Sequence, residues 1–96
     1  MPMYNVIVSK KAYEDLDNIY KYIAFEKEDK FAARKNIDGI NASLRSLKTF
    51  PLGYSVYELH PSFRVIHYKR YKILYRVNKA KKTVTIARVV HSLQNY

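Results

Sequence analysis

Residues 71–91, YKILYRVNKAKKTVTIARVVH, decide the fold. Two runs of β-branched and aromatic residues, Tyr71–Asn78 and Thr83–His91, flank a short basic segment, Lys79–Lys82. Apolar side chains recur at every second position, the period of a strand with two unlike faces. In the first run Tyr71, Ile73, Tyr75 and Val77 share one side, and Lys72, Leu74 and Arg76 share the other. The pattern predicts a hairpin with the tyrosine side packed inward and the lysine side turned to solvent or a ligand. Just upstream, Phe63–Tyr68 reads as another strand that enters Tyr71 through a Lys69-Arg70 turn. With Phe63 and Val65 turned to the core, Arg64 joins Lys72 and Arg76 on the open face. Tyr54–Leu59 reads as one more strand, stopped by His60-Pro61.

Before the Pro51-Leu-Gly53 turn the period changes. Ala33, Ile37, Ile40, Leu44 and Leu47 step by four and three residues, one continuous face of a helix over 30–48 with Asp29 as its cap. Gly39 inside it costs about 1 kcal/mol relative to alanine, which predicts a close approach, here to the first helix. That first helix, 10–26, is marked by Ala12, Leu16, Ile19, Tyr20 and Ile23, with Ser9 as its cap. Glu14, Asp15 and Asp17 sit in its early turns, where acids suit the helix dipole. Asn5–Val8 (NVIV) reads as an opening strand. The order β, α, α, then an antiparallel β-meander predicts a single α+β domain, 1–96, with an α-hairpin packed on one face of the sheet.

The 96 residues suffice for one domain, and 48% of them are hydrophobic. With no cysteine there is no disulfide framework and no thiolate metal site, which fits a reducing cytoplasm. MPMYNVIVSKK lacks the layout of a signal peptide, and no stretch approaches the roughly 18 apolar residues of a membrane span. These features predict a soluble cytoplasmic protein without a membrane partner.

Charge is unevenly placed. Residues 1–58 hold nine Lys and Arg against eight Asp and Glu, whereas residues 59–96 hold nine Lys and Arg and no acid. Within 63–77, FRVIHYKRYKILYRV, six side chains are Lys, Arg or His. Such a cation field suits nucleic acid, an anionic membrane surface or an acidic protein. HExxH, GxxxxGK[ST] and GxSxG are absent, and His60, His67 and His91 are not spaced as a zinc site. Metal nuclease chemistry needs carboxylates that the basic half lacks, so no cofactor and no metal is expected. A metal-free ribonuclease asks for less: RNA supplies the 2′-OH, cations stabilise the extra phosphate charge, and His or Tyr moves protons. Arg64, Lys72, Arg76, His67, His91 and Tyr96 make up such a set. Tyr71 and Tyr75 read more simply as packing residues, His67 as a core or edge histidine, His60 as a turn residue and Lys79, Lys81 and Lys82 as a solvated loop. By alternation Arg88 shares a face with Val84, Ile86 and Val90. Tyr4, Tyr13, Tyr20 and Tyr22 could form an exposed aromatic patch for a partner.

The segments KKAYEDLDNIYKYI, FPLGY and YKILYRVNKAKKTVTIARVVH, taken in order, resemble the RelE/ParE superfamily of type II toxin–antitoxin toxins, the plasmid stabilisation proteins. The resemblance spans nearly the whole chain but does not separate the branches. It implies a growth-inhibiting toxin neutralised by a cognate acidic antitoxin that wraps it. The RelE-like branch implies an mRNA interferase, an endoribonuclease that binds mRNA on the ribosome and cuts it without metal. The ParE-like branch implies poisoning of DNA gyrase without intrinsic catalysis. Carried over by position, Lys72 stands where RNA-cleaving members have a catalytic Arg, and Arg64 matches a basic residue of the preceding strand. His91 stands at the end of the last strand and Tyr96 at the C-terminal tyrosine. Leu93-Gln94 departs from the family, where many relatives carry Arg. The residues favour mRNA cleavage by Arg64, Lys72, His91 and Tyr96, with Lys69, Arg70, Arg76 and Arg88 binding substrate. Gyrase inhibition and a plain nucleic-acid-binding module are the alternatives.

Overall fold

A computed structural model describes residues 3–94 and 96. The elements run β1 (Asn5–Val8), α1 (Lys10–Lys21), α2 (Lys30–Ser46), β2 (Arg64–Tyr68), β3 (Tyr71–Asn78) and β4 (Thr83–His91). The sheet order is β1-β4-β3-β2. β2, β3 and β4 form the antiparallel meander, while β1 pairs in parallel with β4, Asn5 opposite Thr83. The α+β arrangement follows the alternation described above, with the α-hairpin on one face. Among the described residues no helix is long and apolar enough to cross a membrane.

Both helix starts are capped as the sequence predicts. Ser9 Oγ accepts from the Ala12 N–H at 3.1 Å, and Asp29 Oδ1 accepts from the Ala32 N–H at 2.9 Å. These bonds satisfy donors that the first helical turn leaves free. α1 does not end regularly. Its last turn, Tyr22–Glu26, widens into a π-helical turn, and Glu28 beyond it takes a positive φ of 51°.

The apolar stripes of the helices meet one face of the sheet. Ala12, Ile19, Ile40, Leu44 and Leu47 pack against Ile66, Ile73, Tyr75, Val84, Ile86 and Val89. Burying such an aliphatic side chain is worth about 2 kcal/mol, so this layer drives the fold. Gly39 contributes by being small, though not toward α1. A Cβ there would overlap the Tyr68 phenol of β2, so the glycine admits a strand residue beneath α2.

Two expectations about strands are corrected. Tyr54–Leu59 is not a strand: Val56 makes an isolated bridge to Arg64, and the rest is loop. The Tyr57 N–H donates to the Phe63 carbonyl and the Tyr57 carbonyl accepts from His60 N–H, closing a tight loop. That loop uses the backbone groups a ladder would need, and Pro61 has no N–H to offer. Its turn at His60 is as read from the sequence. The second correction concerns parity. Between Leu74 and Tyr75 the β3–β4 register shifts, so Leu74 faces Arg88 while Tyr75 faces Ile86. Ala87 is the extra residue of a β-bulge. Beyond it every side chain changes face, and Arg88 lies opposite the side held by Val84 and Ile86.

Candidate functional site

The sheet face turned away from the helices is not open. Residues 55–63 and Tyr96 cover part of it and form a small second core of Tyr57, Val65 and Leu74 edged by Phe63 and Tyr96. Lys72 lies within this layer, only 5% exposed. Its ammonium donates to Tyr57 Oη at 2.8 Å and sits 5.0 Å from the same ring's centroid. A buried ammonium needs such partners, because leaving water is costly for a charge. Arg76 is exposed further along the strand, its guanidinium 5.0 Å from the Phe63 ring. The Tyr96 ring lies tilted at the same margin, its centroid 5.8 Å from that of His60 and 6.4 Å from that of Phe63.

Arg64 does not join this face. The Lys69-Arg70 turn sets Tyr68 opposite Tyr71, which places Arg64 opposite Tyr75 on the helix side. There its guanidinium donates to the Tyr54 carbonyl at 2.6 Å and pins the 50–55 loop. Phe63, Val65 and His67 take the far face instead, and His67 is exposed on edge strand β2, across from Lys72. The expected trio of Arg64, Lys72 and Arg76 is therefore a pair, one member of which is buried. Tyr75 is a packing residue, as read from the sequence, whereas Tyr71 packs against the core only in part. Tyr75 is fully buried, its hydroxyl donating to the Pro51 carbonyl at 2.7 Å, and burial pushes its pKa up to about 12.

Arg88 has an internal partner. Its Nε and a terminal nitrogen donate to the two carboxylate oxygens of Asp15 at 2.8 and 3.0 Å. Asp15 also accepts from the Val89 N–H at 2.9 Å, on the stretch of β4 that the shorter β1 leaves unpaired. The acid thus serves the sheet edge and Arg88 more than the dipole of its own helix. That bond to Asp15 is the main reason the guanidinium holds its proton more tightly than usual. The other flank of Arg88 meets Tyr96, 4.9 Å from guanidinium to ring centroid.

A cleft of about 410 Å³ opens where the end of α1 meets the tips of β3 and β4. Arg70, Tyr71, Arg88 and His91 line it from the sheet, and Asn18, Tyr22 and Lys27 from the helical side. A second hollow of about 280 Å³ continues from it past Lys69 toward Asp29. His91 is exposed, and its ring meets that of Tyr71 edge-on at 6.1 Å. Burial raises the pKa of Tyr71. The structure thus brings Arg70, Arg88 and His91 together, with Lys69 next door. It separates them from Lys72 and Arg76 on the far face, and Tyr96 joins the two groups through its contact with Arg88. Sequence reasoning missed Lys27 and Asn18, because the widened turn that brings Lys27 round has no marker in YIAFEKE.

A family model described as ParE toxin of type II toxin-antitoxin system, parDE, matches residues 6–96. No curated protein sequence gives a significant match. Among solved structures, the chromosomal ParDE toxin–antitoxin system from P. aeruginosa is similar, with a TM-score of 0.78 at 22% identity over 95% of this chain and 98% of that one. The RelBE2 toxin–antitoxin complex from Mycobacterium tuberculosis gives 0.68 at 21% identity over 93% and 98%. A mutant of E. coli toxin RelE in the free state gives 0.68 at 13% identity over 95% and 85%. At these identities the structural likeness establishes the fold.

Proposed function

The chain belongs to the family of ParE toxins of type II toxin–antitoxin systems, and on that premise we propose that it is a gyrase-directed toxin restrained by a cognate acidic antitoxin. This gives the gyrase alternative precedence over the mRNA cleavage favoured by the sequence reading. The observation that carries it is the engagement of the cations proposed for catalysis. Arg64 is spent on loop carbonyls and Lys72 on Tyr57, and Arg88, expected to bind substrate, is spent on Asp15. A group that stabilises a phosphoryl transition state must be free to meet the charge as it develops. The features left exposed suit a protein surface better: Tyr13, Phe25 and Phe31 on the helical hairpin and Leu93 after β4 are all open to solvent. Leu93-Gln94 stands where many relatives carry Arg, a departure that further favours contact over catalysis.

One observation favours the second reading, mRNA cleavage on the ribosome: His91 is exposed beside Arg70, where a proton carrier and a phosphate ligand would be wanted. In that reading His91 or Tyr96 moves protons, and Lys72 and Arg76 attract the RNA backbone. The test is induction in cells without antitoxin, followed by trapping of gyrase–DNA complexes and primer extension on a reporter mRNA. We expect growth arrest, trapped cleaved DNA and intact mRNA. New codon-spaced 5′ ends with gyrase unaffected would overturn the proposal, and loss of those ends in His91→Ala would then assign the cleavage to that residue.

A further inference from the structure

The cleft at the end of α1 has a composition that neither a gyrase contact nor a packing role requires. Its two walls both depart from regular geometry. On the helical side the π-helical turn Tyr22–Glu26 pushes Tyr22 outward and brings Lys27 to the rim, the ammonium 5.7 Å from the Tyr22 ring centroid. On the sheet side Lys69 holds a φ of 50°, a left-handed conformation that a lysine rarely adopts. That turn presents Arg70, whose carbonyl is anchored by the Ser92 N–H at 2.7 Å. Widened helical turns and strained loop residues concentrate at ligand sites.

The charges are arranged for an anion. Among the described residues neither Lys27 nor Arg70 has a carboxylate within ion-pair distance. The acid that lines the cleft, Asp15, has both oxygens committed to Arg88 and the Val89 N–H, so it offers little to repel a negative ligand. Asp29, in the adjoining hollow, is committed to its helix cap. Between the cations lie two aromatic walls, Tyr22, half exposed, and Tyr71, backed by His91. The volume, about 410 Å³, is that of a small-ligand pocket. A planar fork and an ammonium suit phosphate oxygens, aromatic walls suit a flat base, and the Asn18 amide can both donate and accept.

We propose that this cleft binds a nucleoside phosphate, with Arg70 and Lys27 on the phosphate and the base against Tyr22 and Tyr71. The group can come from a free mononucleotide or from the phosphorylated end of a strand, and the chemistry of recognition is shared. This goes beyond the gyrase reading and does not depend on it, because ligand binding is scored on the purified chain without gyrase.

The experiment is an amide-resolved NMR titration of the full chain with adenosine 5′-monophosphate, adenosine, inorganic phosphate and a 5′-phosphorylated tetranucleotide. Saturable shifts are expected at Tyr22, Lys27, Arg70, Tyr71 and His91 with the monophosphate. Adenosine and inorganic phosphate should each bind at least tenfold more weakly. Arg70→Ala should weaken the monophosphate roughly tenfold, the loss of one charge-assisted contact, with an otherwise unchanged spectrum. Tyr22→Leu, an exposed site tolerant of change, should weaken the monophosphate but not inorganic phosphate. Equal or tighter binding of the tetranucleotide would identify strand ends as the source, and its exclusion would identify free nucleotide. The proposal is overturned if the monophosphate binds no better than inorganic phosphate, if the shifts map elsewhere, or if Arg70→Ala binds unchanged.

Discussion

Ile73 and Leu74 are neighbours in β3 and both fully buried, yet they lie under different roofs. Ile73 faces two helices and a layer of aliphatic side chains. Leu74 faces a loop and a C-terminal tyrosine, with a lysine in the same layer. The first roof is made of regular elements whose backbone bonds are satisfied internally. The second is a 55–63 segment held by a few hydrogen bonds and aromatic contacts. Equal burial therefore conceals unequal rigidity. On the side sealed by loops Arg76 stays in water at the margin of a thin cover, whereas Lys72 is enclosed beneath it.

The largest test of that contrast is the pair Ile73→Ala and Leu74→Ala in urea denaturation. A cavity under the helices cannot collapse, so Ile73→Ala should cost about 4 kcal/mol, while the loop over Leu74 can settle and limit the loss to about 2 kcal/mol. Equal losses would mean that the loop is as stiff as the helices. Next comes the bond that joins the helical layer to the sheet edge. Asp15→Asn leaves Arg88 mostly buried without its counter-charge and should cost about 3 kcal/mol by the same measurement. A loss below 1 kcal/mol would show Arg88 swinging free to solvent.

Tyr75 probes the helix side from within. Tyr75→Phe orphans the Pro51 carbonyl and should cost about 1–2 kcal/mol. The pH profile carries an independent sign. The folded pKa of Tyr75 lies near 12, above its ordinary 10, so the folded state holds this proton more tightly. The associated stability is complete below pH 10 and is lost as pH rises toward 12. Tyr75→Phe should flatten that decline in melts between pH 9 and 12, and an unchanged slope would remove Tyr75 as its source. Smallest is Lys69→Gly, which relieves a positive φ at the tip of the β2–β3 hairpin. It should stabilise by about 0.5–1 kcal/mol in urea, and destabilisation would mean that the Lys69 ammonium, 5.5 Å from the Tyr68 ring centroid, contributes more than the backbone strain costs.

Apart from Tyr54–Leu59, which is loop, the elements were legible, because alternation and helical stripes report burial directly. Ser9 and Asp29 as caps, and the stripe from Ala33 to Leu47, follow from residue type and spacing. What alternation could not carry was parity. Phe63–Tyr68 is apolar on both faces, so the run alone leaves Arg64 on either side. The two-residue turn at Lys69-Arg70 does decide it, since Tyr68 opposite Tyr71 puts Arg64 opposite Tyr75. No glycine marks the bulge in TVTIARVVH, and one unmarked extra residue moves Arg88 to the other face. The cleft residues were hidden for a related reason. Tyr22, Lys27, Arg70 and His91 come from three separate segments, and a π-helical turn with no sequence marker brings the helical pair round to the others.

The parallel pairing of β1 with β4 has a consequence in time. Asn5 and Thr83 are joined across 78 positions, and Ser9 Oγ reaches the Ala87 carbonyl over the same span. During synthesis β1 and the helical hairpin emerge well before β4, the strand that β1 must pair with. Until β4 is made, α1 lacks the strand it packs on, although β2 and β3 can already cover α2, and such long-range closure is slow by nature. The pairing of β1 therefore waits on β4, a strand 78 positions further along the chain.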